Sequence, residues 1–147
     1  MAAPKTKELI NALGTEPILE GTPRIYQLEP IGSFTKPEIE QQSDPWMVFA
    51  TIDYKPGLTV ESVPYWKAVI ETSKNDEPGT FVYGILKTKE PSDSLYSLEA
   101  YESKEYLWDV HAKSGAIAEN VKNTKDMRTG LKHEFLKLHA GYLYKKA

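Results

Sequence analysis

The chain has no cysteine among its 147 residues. That excludes disulfides, thiol nucleophiles, thiolate-ligated zinc and iron–sulfur clusters. Histidine is scarce too: His111, His133 and His139 are all there are, and no two stand at the spacing of a short metal motif, so no metal site is expected. Glycine-rich phosphate loops, a dinucleotide-binding fingerprint and a nucleophile elbow are missing as well. With them go the flavin, nicotinamide and nucleotide readings, and no cofactor is expected. No apolar run approaches the ~20 residues of a membrane span, and the first residues carry no long apolar stretch of a secretory signal. The net charge of −3 gives no electrostatic case for nucleic acid. A cytoplasmic protein that avoids both membranes and nucleic acid is the expectation.

What is present is a chain long enough for one folded domain. Residues 1–45 read as an N-terminal arm. Thr6–Leu13 carries Leu9, Ile10 and Leu13 at helical spacing, and Gly14 ends it. Seven prolines and glycines then punctuate the chain up to Pro45, with Arg24–Leu28 as a short strand. This segment is expected to dock on the domain that follows, along a sheet edge or across a partner subunit.

Residues 46–147 read as the domain proper. Trp46–Tyr54 has strand composition and almost no charge. Lys55-Pro56-Gly57 turns the chain. A helix starts between Thr59 and Ser62, with Pro64 expected in its first turn, and runs to about Lys74. Thr80–Lys87 and Leu95–Tyr101 are strands joined by the Glu90–Ser94 loop. Ser103 caps a second helix, on which Leu107, His111 and Ser114 share a face. Gly115 interrupts that helix, and Ala116–Val121 continues it at an angle. Asn123–Gly130 is a polar connection, and His133–Tyr144 is the last strand. The order β-α-β-β-α-β predicts an α+β, ferredoxin-like fold with a four-stranded antiparallel sheet. One sheet face is left without helices, and a second copy of the chain is the partner expected to cover it.

Three passages, in this order and spacing, resemble the antibiotic-biosynthesis monooxygenase family of dimeric α/β barrels. They are Asp53-Tyr54-Lys55-Pro56-Gly57, Glu77-Pro78-Gly79-Thr80, and Glu99-Ala100-Tyr101-Glu102-Ser103 followed by His111 and Ser114. Tyr101 stands where that family usually has tryptophan, and Ala116 stands at a second family histidine. The resemblance implies a homodimeric barrel. It also implies a cofactor-independent monooxygenase of secondary metabolism that acts with O2 on a small aromatic metabolite: a polycyclic phenol, an anthrone or a quinol. A non-catalytic binding module, or a cyclase or decarboxylase of the same superfamily, is the alternative. Heme degradation fits less well, because Trp46–Tyr54 contains no asparagine.

His111 is the candidate catalytic residue, since an imidazole with an unperturbed pKa near ~6.5 suits proton abstraction from a phenol. Trp66, Tyr83, Tyr101 and Trp108 are the candidates to wall a flat aromatic substrate, against the plainer reading of core or interface residues. Asp53 and Glu99 are carboxylates on strands. Each is a possible base, and solvated strand-end charges are the commoner case. His133 and His139 are expected to flank the last strand, about 20 Å apart.

Overall fold

The computed structural model describes Asn11 and residues 26–138. The expected helix at Thr6–Leu13 and most of the expected strand at Arg24–Leu28 lie outside the described residues. Within 26–138 the strands are β1 (Leu28–Thr35), β2 (Trp46–Tyr54), β3 (Thr80–Thr88), β4 (Ser94–Tyr101) and β5 (Arg128–Leu136). The helices are α1 (Thr59–Asp76), α2 (Lys104–Asp109) and α3 (Gly115–Thr124). All strand pairings are antiparallel, in the order β1-β3-β4-β2-β5. The last four make the ferredoxin-like sheet, and β1 adds a fifth strand beside β3. The sheet is open within one chain.

β2 shows why the helices lie on one side. Val48, Ala50, Ile52 and Tyr54 alternate as buried residues, while Met47, Phe49, Thr51 and Asp53 point the other way. α1 answers with Ser62, Trp66, Val69, Ile70 and Ser73, a buried stripe at helical spacing. The core is the layer between them, completed by Phe34, Tyr83, Ile85, Leu95, Tyr101 and Leu107. The opposite face of the sheet carries Phe49 and Tyr96, stacked at 5.9 Å, and Leu98, which is 36% exposed.

Local signals explain most boundaries. Gly57 adopts φ 79°, a left-handed conformation natural to glycine, at the turn after β2. Its N–H donates to Asp93 Oδ1 at 2.9 Å, tying that turn to the β3–β4 loop. Ser103 caps α2 by accepting from the Tyr106 N–H at 3.1 Å. Ser114 caps α3 in the same way, accepting from the Ile117 N–H.

Several expectations need correction. Pro64 lies in the second turn of α1, because the helix already starts at Thr59. The carbonyl it deprives of a partner belongs to Val60, a residue 75% exposed, where water can replace the lost bond. His111 and Ser114 do not lie on one helix with Leu107. α2 ends at Asp109, His111 sits in a 3-10 turn, and Ser114 is spent on capping α3. The last strand is Arg128–Leu136 rather than His133–Tyr144. It is an edge strand whose residues are mostly exposed, so it shows no strong apolar alternation. His133 therefore lies inside this strand, and His139 is outside the described residues.

Candidate functional site

Four segments meet around His111. The end of α1 supplies Ser73, the turn before β3 supplies Glu77, the middle of β3 supplies Tyr83, and the end of β4 supplies Tyr101. The turn after α2 presents the imidazole to them. His111 is 4% exposed and Glu77 is 3% exposed. The Glu77 carboxylate faces His111 Nδ1, with Oε2 at 2.7 Å. The same oxygen accepts from Thr80 Oγ1 at 2.7 Å. Ser73 Oγ lies 3.4 Å from Nδ1.

Burial alone would push the Glu77 carboxyl up. The hydrogen bond and charge of His111, followed by the hydroxyls of Thr80 and Ser73, more than offset it and hold the group below its ordinary value of 4.5. Glu77 is therefore an acceptor at neutral pH. An ionised carboxylate at Nδ1 requires a proton on that nitrogen. Nε2 makes no hydrogen bond to the protein among the described residues, so the neutral ring carries a free lone pair there.

The imidazole opens on a cavity of about 200 Å³ between the sheet and the helices. Trp66, Tyr83 and Trp108 line it, as do Leu107 and Ile117. The Tyr83 ring lies 5.0 Å from the imidazole. Trp66 donates from Nε1 to Tyr54 Oη at 2.7 Å, which fixes its plane. Trp108 is 43% exposed and stands at the rim, with its ring edge-on to His133. Tyr101 lies behind His111, wholly buried, with its ring at 5.2 Å and its hydroxyl donating to Glu99 Oε2 at 2.7 Å. Burial, then the charge of Glu99, holds the phenols of both Tyr83 and Tyr101 well above their ordinary 10.0. Both are neutral, and Tyr101 acts as a donor.

Other residues of the cavity carry chemistry that their sequence positions did not advertise. Glu99 is no solvated strand-end charge: it is 7% exposed and lines the cavity. Arg128, Asn120 and Ser97 line it as well. Glu77 stood in the sequence only as the start of the Glu77-Pro78-Gly79-Thr80 passage, and nothing local marks it as buried. A larger groove of about 460 Å³ lies between the start of α1 and the β3–β4 loop. It contains no histidine or aromatic ring, and His111 does not reach it. Among the described residues no three His, Asp or Glu side chains gather where they could hold a metal ion, and no helix is long and apolar enough to cross a membrane.

No family model and no curated protein matches the chain. Solved structures do. A candidate monooxygenase from Fusobacterium nucleatum is 24% identical, with a TM-score of 0.75 over 99% of this chain and 67% of its own. A candidate monooxygenase from Lactobacillus acidophilus is 20% identical, with a TM-score of 0.68 over 78% of this chain. The match spans about half, 52%, of that protein's length. A candidate antibiotic-biosynthesis monooxygenase from Caulobacter crescentus is 22% identical, with a TM-score of 0.57 over 63% of this chain and 87% of its own. At these identities the likeness is one of fold.

Proposed function

Starting from a fold shared with the antibiotic-biosynthesis monooxygenases, we propose that this protein binds a phenolic or quinolic ring beside His111 and oxidises it with O2. The observation that carries the reading is the Glu77–His111 pair, which is buried, oriented and open at Nε2 to an aromatic-walled cavity. Oxygenation that relies on the substrate's own electrons starts from its phenolate, and the pair offers Nε2 as the base that forms it.

Nε2 takes the hydroxyl proton, and the imidazolium is stabilised by the carboxylate already at Nδ1. The phenolate passes one electron to O2. The ring radical and superoxide recombine to form a C–O bond, and the resulting peroxide anion takes the proton back from Nε2 to become a hydroperoxide. Loss of the ring proton from that carbon, with cleavage of the O–O bond, leaves a carbonyl and water. The balance is one O2 consumed, one oxygen atom in the product and one in water, with all four electrons supplied by the substrate. The walls of Trp66 and Tyr83 hold the ring and exclude water from the radical pair.

The helix-free sheet face, with Leu98 and Leu136 at 36% and 46% exposure, is our proposed contact with a second copy, which would complete a barrel.

The test is oxygen uptake over a set of quinols, naphthols and anthrones, repeated with His111→Asn. Asparagine keeps a donor toward Glu77 and removes Nε2, so the fold is spared. Uptake should fall on the order of 10²-fold or more. A folded variant with an unchanged rate overturns the role of His111. Tight binding without any oxygen uptake replaces the enzyme reading with that of a binding module.

A further inference from the structure

The cavity beside His111 holds more charge and more unmet hydrogen-bonding capacity than a proton transfer uses. Arg128 is half-buried at the start of β5. Its Nε donates to Thr124 Oγ1 at 3.1 Å, its Nη2 donates to Asn120 Oδ1, and its guanidinium lies 5.2 Å over the Trp66 ring. No ion pair among the described residues includes it. The remaining N–H groups of the fork are free for a ligand.

Asn120 is 1% exposed. Its amide orientation is fixed, because Oδ1 is the atom that can accept from Arg128 and Thr124. That leaves Nδ2 buried with no partner. Ser97 is also 1% exposed, and its Oγ has no partner either. Three donor-bearing side chains of one small cavity are thus unfinished. Unpaired buried polar groups are costly, and most native ones are satisfied.

The negative side of the cavity is Glu99. Its carboxylate accepts from Tyr101, and no cation among the described residues pairs with it. Glu77, the other carboxylate near His111, is taken up by the imidazole. The cavity therefore keeps a carboxylate and a guanidinium that do not pair with each other. A ligand that offers a hydroxyl to the first and an oxyanion to the second satisfies both. Size narrows the class further. A cavity of roughly 150 Å³ takes up benzene, and sites for drug-sized ligands begin near ~300 Å³. About 200 Å³ suits one substituted ring.

We propose that the ligand of this site is a single-ring hydroxyaromatic carboxylate. Its carboxylate is held in the fork of Arg128 with Asn120 and Ser97 as further donors, and its hydroxyl faces His111 and Glu99. The assignment rests on the reading of the cavity as the substrate site, and it deepens that reading by naming the substrate class.

Calorimetric titration with 4-hydroxybenzoate, 2,5-dihydroxybenzoate and hydroquinone tests it. The wild type should bind the two acids at least about tenfold more tightly than the neutral quinol, the preference expected of a charge-assisted bidentate contact. Arg128→Met should abolish that preference, the acids losing at least about tenfold in affinity relative to hydroquinone. Because Arg128 also packs on Trp66, Asn120→Asp separates recognition from folding. It keeps an acceptor for Arg128 and Thr124 and puts a carboxylate oxygen where the free amide was, so the acids should again lose their advantage. If the wild type shows no preference for the acids, or if both variants retain it, the proposal is wrong. Oxygen uptake on the same compounds divides the two readings. Acids bound through Arg128 but not oxidised leave the ligand class standing and remove the oxygenase. Neutral quinols oxidised while acids are rejected do the reverse.

Discussion

Replacing Glu77 with glutamine removes one charge and almost no volume. The carboxylate oxygen Oε2 receives both His111 Nδ1 and Thr80 Oγ1, each at 2.7 Å. The amide oxygen must take that place, since the NH2 group cannot accept. The NH2 then falls where Oε1 stands, a buried atom without a partner. Hydrogen bonds to a charged group contribute about 1.5–3 kcal/mol and neutral ones about 1 kcal/mol, so weakening two of them costs roughly 1–4 kcal/mol. The NH2 replaces one unpartnered buried atom with another, so it adds little to that range. The middle of that range, about 2–3 kcal/mol, corresponds to a fall in Tm of roughly 6–9 °C for a domain of this size.

The pH dependence sharpens the test. Glu77 is depressed in the folded state, so its stabilisation is complete above 4.5 and is lost as pH falls through the depressed value. Glutamine has no such transition. Thermal melts of the two proteins should therefore differ by a constant amount at neutral pH and converge in acid below 4.5. Oxygen uptake should also fall, because the imidazolium loses its counter-charge. Equal melting temperatures at neutral pH, or a gap that stays constant into strong acid, would refute the ionised buried carboxylate.

Two further perturbations test the frame around the site. A Cβ on Gly79 would stand 2.5 Å from Tyr106 Cε2 and 2.8 Å from Glu102 Oε2, so Gly79→Ala should cost about 2 kcal/mol in a urea titration. An unchanged midpoint would mean that the α2 end of the site yields freely. Removing residues 1–36 strips β1 from β3 and bares the edge of that strand. The truncated protein should melt lower and aggregate faster on warming, and an identical melting curve would make the N-terminal segment dispensable.

Much of the frame was legible because its residues are committed locally. Trp46–Tyr54 carries strand composition throughout, and its observed bounds match. Ser103 is a competent cap in the place where a cap is used. β1 was hidden by Pro30 and Gly32, which read as punctuation. An edge strand tolerates both, and here they flank a register shift. β5 was displaced by its polarity: Arg128-Thr129-Gly130 looks like a connection, yet backbone pairing with β2 holds it. His111 stood out as one of three histidines. Its partner Glu77 did not, because a carboxylate 34 residues away becomes its neighbour only when the end of α1 and the turn after α2 are brought together. Arg128 and Asn120 were obscured for the same reason, whereas Glu99 was weighed as a possible base and its burial was not foreseen.

Lys36, just past β1, reaches across to the end of α1. Its Nζ donates to the Glu77 carbonyl at 2.6 Å and to the Ser73 carbonyl at 3.3 Å. The two residues whose main chain it grips are the two whose side chains attend His111. One ammonium group thus ties the N-terminal strand to the backbone that carries both side-chain partners of the imidazole. A displacement of that strand reaches the imidazole through this contact as well as through the pairing of β1 with β3. On the proposed reading of His111, the end of β1 serves the chemistry as well as the sheet.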